Sequence, residues 1–183
     1  MKSMNVVERL EVSVERRRNW IKPIIIVCIA LILVMWVYIF LLAPKNAAGT
    51  IEDTAWTTSA EKTCAAANAQ IAALPFVNPA DNTPGGLRAR GESVAEGNVI
   101  ITKMLDTLAA TPPTSIVGRT IVTKWLGDWH TFLQDRVNYA TGLIAGTTTQ
   151  FGETQIDNAP ISDFIGVIAD QNNMAACSTI PLT

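Results

Sequence analysis

The sequence predicts a mainly α protein: one N-terminal transmembrane helix, then a disulfide-clipped three- or four-helix extracytoplasmic bundle. Three observations carry that prediction. The block between Lys22 and Lys45 contains no acid and no base. Beyond it, apolar residues recur at helical spacing. Two cysteines, Cys64 and Cys177, stand near the two ends of that remainder.

The apolar block comes first. From Pro23 to Ala43 a helix would reach about 32 Å, matching a hydrocarbon core of roughly 30 Å. Buried helices of soluble folds rarely run so far without a polar residue. A cleaved secretory signal is disfavoured despite the small residues at 46 to 48, because its apolar region is typically about 7 to 15 residues. Cys28 lacks a preceding lipobox and reads as a lipid-facing or packed thiol. Lys2, Arg9, Arg16, Arg17, Arg18 and Lys22 precede the span, which places the N-terminus in the cytoplasm. Trp20 on one side and Trp36 and Tyr38 on the other fall where amphipathic rings sit in the two interfaces. Arg16, Arg17 and Arg18 meet the inner headgroups. The layout expected is a basic tail at 1–22, a transmembrane helix at 23–43, a tether at 44–57 and a helical domain at 58–183. A tether this short keeps the domain at the membrane.

Residues 44–183 carry eight bases against thirteen acids. That mildly acidic balance offers no basic patch and excludes nucleic acid as a partner. A first helix is expected from Thr58, where T-S-A-E forms a capping box with Glu61. Ala60, Cys64, Ala67, Ile71 and Leu74 then share a face. The stretch PFVNPADNTPGG reads as a loop. A second helix follows over LRARGESVAEGNVIITKMLDTLAAT, weakened by Gly91 and Gly97. Pro112-Pro113 ends it. Thr114 or Ser115 caps a third helix whose apolar stripe is Ile121, Val122, Trp125, Trp129, Phe132, Leu133 and Val137. Residues 146–160 read as a loop, with TTTQF and ETQI as the alternative arms of a small hairpin. A last helix begins near Ser162 and uses Phe164, Ile165, Ile168 and Ala169.

Two exported cysteines and no CxxC pair point to one structural disulfide, Cys64–Cys177. In the chain-entropy model, closing a loop of about 113 residues stabilises the fold by roughly 4–5 kcal/mol.

Reactive residue types concentrate on the third helix as Trp125, Asp128, Trp129, His130, Asp135, Arg136 and Tyr139. No metal site is expected: the chain has one histidine, and neither i±3 nor i±4 from His130 offers a zinc ligand. Asp128 and Asp135 lie about 10.5 Å apart along a helix axis, beyond the usual glycosidase spacing. Asp135 and Arg136 read as surface charges or members of an ion pair. Trp125 and Trp129, four apart, are the candidate ligand surface, although that spacing also suits a core. No GxGxxG, P-loop or nucleophile elbow is present, so no cofactor is expected.

The run WLGDWHTFLQDRVNYATGL, then FGET, then ISDFIGVIADQNNMAACST resembles a group of uncharacterised single-pass proteins of Actinobacteria. The resemblance implies a basic N-terminus, a signal anchor, an early cysteine, a W-x-x-D-W helix and a near-terminal Asn-Met-x-x-Cys. Ala175 and Ala176 stand where that group has Pro and Ser. It carries over no functional residue. The function expected is therefore noncatalytic: a membrane-anchored domain binding another protein, as an accessory subunit of a membrane or envelope complex. The alternatives are a module binding a small ligand or wall polymer through Trp125 and Trp129 and, least favoured, a cell-wall hydrolase using Asp128, His130 or Asp135.

Overall fold

The computed structural model describes residues 23–38, 49–148 and 150–178. The chain divides into two units, residues 1–45 and 46–183. In the first, residues 23–38 form a helix, α1, on which every side chain is exposed. Among the described residues no helix is long and apolar enough to cross a membrane. The described part of α1 extends about 24 Å by helical rise, short of a bilayer core. Residues 39–43 of the expected span lie outside the described residues, as do Arg16, Arg17, Arg18, Trp20 and the rest of the 1–22 tail. Trp36 and Tyr38 are on α1 and exposed.

The second unit is built on four helices: α2 (Thr54–Ala72), α3 (Pro84–Ala110), α4 (Ile116–Ile144) and α5 (Ile161–Gln171). It begins earlier than expected. Ile51 and Trp56, assigned above to a tether over 44–57, are core residues. The cap of α2 is Asp53 rather than Thr58: its Oδ1 accepts from the Trp56 backbone N–H at 3.0 Å. Its Oδ2 accepts from the Thr114 N–H at 3.1 Å and the Thr114 hydroxyl at 3.0 Å. One carboxylate thus starts α2 and holds the α3–α4 turn, a tertiary role that a local capping pattern does not reveal. The Trp56 N–H, followed by the Thr114 N–H and hydroxyl, holds the Asp53 carboxyl below its ordinary 3.8. The associated stability is complete above that value and is lost as pH falls through the lower folded-state pKa. Asp53→Asn, an equally good cap, is expected to flatten the fall in urea stability below about pH 4. An unchanged acid limb would assign that fall to other carboxylates, Asp81 among them.

Helix α3 is capped by Thr83, with Pro84 in its first turn, and α4 by Ser115, as expected for the latter. The two helices run antiparallel, and Gly91 explains how closely they approach. A Cβ at Gly91 would lie 2.7 Å from Ile144 Cγ1 and 2.8 Å from the Ala140 carbonyl oxygen. A Cβ at Gly97 would meet nothing nearer than 3.5 Å. Gly91→Ala is expected to lower stability by about 1–3 kcal/mol through overpacking, whereas Gly97→Ala is neutral or gains up to about 1 kcal/mol in helix propensity. Thermal unfolding of the two variants would check the contrast, and equal effects would refute it.

The inward stripe of α4 is Val122, Trp125, Trp129, Phe132, Arg136, Ala140 and Leu143. Arg136 takes the position expected for Val137, which is 39% exposed, while Arg136 is fully buried. Its Nε donates to Asn98 Oδ1 at 2.8 Å, and its guanidinium carbon lies 5.9 Å from the Phe132 ring centroid. Burial pushes its pKa down to about 10. The guanidinium is nonetheless charged at neutral pH. This corrects its reading as a surface charge.

Residues 146–160 are not all loop. Gln155–Ile156 (β1) and Ala159–Pro160 (β2) form a two-residue antiparallel hairpin. Asp157 and Asn158 at its tip have φ of 50° and 64°, the left-handed pair of a tight hairpin turn. Asp135 anchors the segment, accepting from the Thr154 N–H at 2.7 Å and its hydroxyl at 3.0 Å. Glu153 accepts from the Ser162 N–H at 3.1 Å and so ties the hairpin to the start of α5.

Past α5 the chain turns at Ala175–Cys177 and docks on α2. Cys64 and Cys177 are bonded there, with Cα atoms 5.2 Å apart. Glu61, expected in a capping box, instead accepts from the Ala176 N–H at 2.9 Å, and Asn68 donates to the Ala176 carbonyl at 2.8 Å. Asn172 closes the domain on its own beginning: its Oδ1 accepts from the Ile51 N–H at 2.6 Å, and its Nδ2 donates to the Gly49 carbonyl at 2.8 Å. Gly49 has φ +107°, and a Cβ there would collide with Gln171 and Ile168.

Candidate functional site

The tryptophans offered as a ligand surface are core. Trp125 and Trp129 are each 1% exposed. Trp56, Trp125, Trp129, Phe132 and Phe151 follow one another edge to face at centroid distances of 6.5, 6.3, 5.8 and 5.9 Å. Tyr139 also packs against Phe151, at 5.5 Å. Such edge-to-face pairs are a favoured packing mode, and they leave no ring face turned to solvent along Trp125 and Trp129. The indole N–H groups of Trp56 and Trp125 donate to the Thr111 and Ile165 carbonyls at 2.6 and 3.1 Å, holding α2 to the α3 end and α4 to α5.

The remaining reactive residues of α4 fall into separate surroundings. Asp128 pairs with Lys124 one turn away at 3.0 Å. His130 is exposed. Asp135 serves the Thr154 anchor described above, and Arg136 lies in the core. The structure therefore does not bring Asp128, His130 and Asp135 together as an acid–base constellation. Among the described residues no group of three His, Cys, Asp or Glu side chains could hold a metal ion.

One groove among the described residues, about 330 Å³ between α2 and α3, is lined by Lys62, Lys103, Gln70 and several hydroxyls. Two of those hydroxyls, on Thr63 and Thr107, already donate to their own helices. Another, about 250 Å³ between α4 and α5, is mostly apolar. Phe164, Val167 and Ile168 supply its apolar lining, and Lys124, Asp128 and Asp163 supply charge. It exists because α5 is apolar on more than one side: Ile161, Ile165 and Ala169 face the core while Val167 is left exposed.

No known family, curated protein or solved structure matches the chain. The geometry thus stands alone. The apolar positions read from the sequence of the last helix are Phe164, Ile165, Ile168 and Ala169, without Val167. The signal was available in an eleven-residue helix whose apolar positions exceed what one buried face needs.

Proposed function

We propose that the protein is a membrane-anchored, noncatalytic extracytoplasmic domain that binds another protein of the membrane or cell envelope, as an accessory subunit. The observation that carries the reading is the α4–α5 groove, whose apolar lining and charged neighbours have the core-and-rim character of a protein interface. Its occupant on this reading is an apolar side chain of the partner. The anchor is supported by α1, whose exposed apolar side chains would form an unusually large apolar surface in water but suit a bilayer. A disulfide persists in an oxidising compartment, and the basic flank before the apolar block favours a cytoplasmic N-terminus. Binding of a small ligand or wall polymer loses its proposed contact residues once Trp125 and Trp129 are buried.

A photo-cross-linking residue placed at Val167 in the full chain, in native membranes, tests the proposal. One discrete heavier product is expected at that position and none at the exposed Val99 of α3. With the cross-linker kept at position 167, Phe164→Asp in the same groove is expected to weaken recovery of that product at least tenfold, equivalent to about 1.4 kcal/mol. No product at Val167, or equal products at both positions, would sink it.

A further inference from the structure

A second exposed apolar feature lies at the start of α4. Ile116 and Val117, adjacent in the first turn of α4, are 76% and 66% exposed. Their neighbours show which end of the domain they occupy. Thr114 is held by Asp53, and a Cβ on Gly118 would lie 3.6 Å from Ile51 Cγ2. Ile51 is in turn bonded to Asn172, which also holds Gly49. The pair therefore sits at the end where the chain enters the domain from residues 39–48. Even fully extended, those residues reach no more than about 36 Å.

From these observations we infer that Ile116 and Val117 rest in the headgroup boundary of the lipid bilayer to which the chain is anchored. The inference rests on the membrane-anchor reading. The first turn of a helix favours acidic side chains, so two branched apolar residues there gain nothing from the helix dipole. Lipid contact gives them a role. Arg119, one turn later and exposed, donates to the Pro113 and Thr114 carbonyls and brings a cation beside the pair. Glu52 and Asp53 stand at the same end and oppose a strongly anionic surface, so a zwitterionic headgroup is the chemistry that fits. Two side chains would not hold a free domain to lipid. A connector of this length makes the encounter intramolecular, at an effective concentration of about millimolar. Phe76, 89% exposed, makes the contrast: it follows α2, which runs about 28 Å away from the entry.

The test uses the full chain with Cys64–Cys177 oxidised, in phosphatidylcholine vesicles, carrying one environment-sensitive fluorophore. It is attached in turn to the native Cys28, to Val117→Cys and to Phe76→Cys, the last two in a Cys28→Ser background. A lipid-borne quencher near the headgroups is expected to quench position 117 at least twice as strongly as position 76. Aqueous iodide should show the reverse order. If Cys28 is quenched from the lipid while 117 behaves like 76, the anchor stands and the inference is overturned. If Cys28 is open to iodide and untouched by the lipid quencher, the anchor reading itself falls. Shielding of 117 from both quenchers would mean that protein covers it, a second copy or a partner, and would also overturn the inference.

Discussion

Replacing Cys64 and Cys177 together by serine is expected to lower unfolding stability by about 4–5 kcal/mol, the chain-entropy value for a loop of this size. The bond closes a sequence separation of 113 residues and encloses α3, α4, the hairpin and α5. Against a typical total of about 5–15 kcal/mol for a domain, the variant would be marginal near body temperature. Urea titration of wild type with and without reductant, beside the double serine variant, measures it. Reduced wild type and variant should coincide. A loss under about 1 kcal/mol would mean that the reduced denatured chain is already compact, so that the bond removes little freedom from it.

Arg136→Ala is expected to cost about 2–5 kcal/mol, the range for truncating a large buried side chain to alanine, with the loss of a buried hydrogen bond included. Truncation takes the Nε donor from Asn98 Oδ1 and empties a fully buried position in the α4 stripe. Arg136→Met keeps most of the volume without the charge and is expected to lose clearly less. The pH dependence has a definite sign. Burial holds the folded-state pKa at about 10, below the ordinary guanidinium value, so the unfolded chain binds the proton more tightly. Arg136 therefore adds stability as pH rises through that interval, and at neutral pH the fold bears the whole desolvation penalty. Arg136→Met as damaging as Arg136→Ala would show that charge, rather than volume, matters at this position.

Much of the fold was legible because its signals are local. The 3.6 periodicity of Ala60, Cys64, Ala67 and Ile71 placed Cys64 inward, and the disulfide followed from there being only two cysteines beyond the apolar block. Ser115 before a long apolar stripe located α4. What stayed hidden depends on distant partners. Asp53 outcompetes Thr58 as a cap because Thr114 holds its second oxygen, an interaction sixty-one residues away in sequence. Val137 was preferred to Arg136 on hydropathy alone, although 125, 129, 132, 136, 140 and 143 is the better helical register. Asn98 across the interface makes the guanidinium acceptable there. For the candidate site the sequence pointed at tryptophans, since residue type cannot tell a buried ring from an exposed one. The groove depends on which side of α5 the core leaves uncovered.

The disulfide also governs how this domain carries force. A pull between the connector at Gly49 and the groove on α5 does not travel along the chain through α3 and α4. It follows α2 as far as Cys64, crosses to Cys177 and returns through the last residues to Val167, leaving the longest helices outside the loaded path. Asn172, clasping Gly49 and Ile51, lies parallel to that route and takes the load first as a noncovalent clutch. With the bond oxidised, tension can peel off the entry segment and the first turns of α2 and then meets a covalent stop. With it reduced, the same tension would draw out the whole bundle.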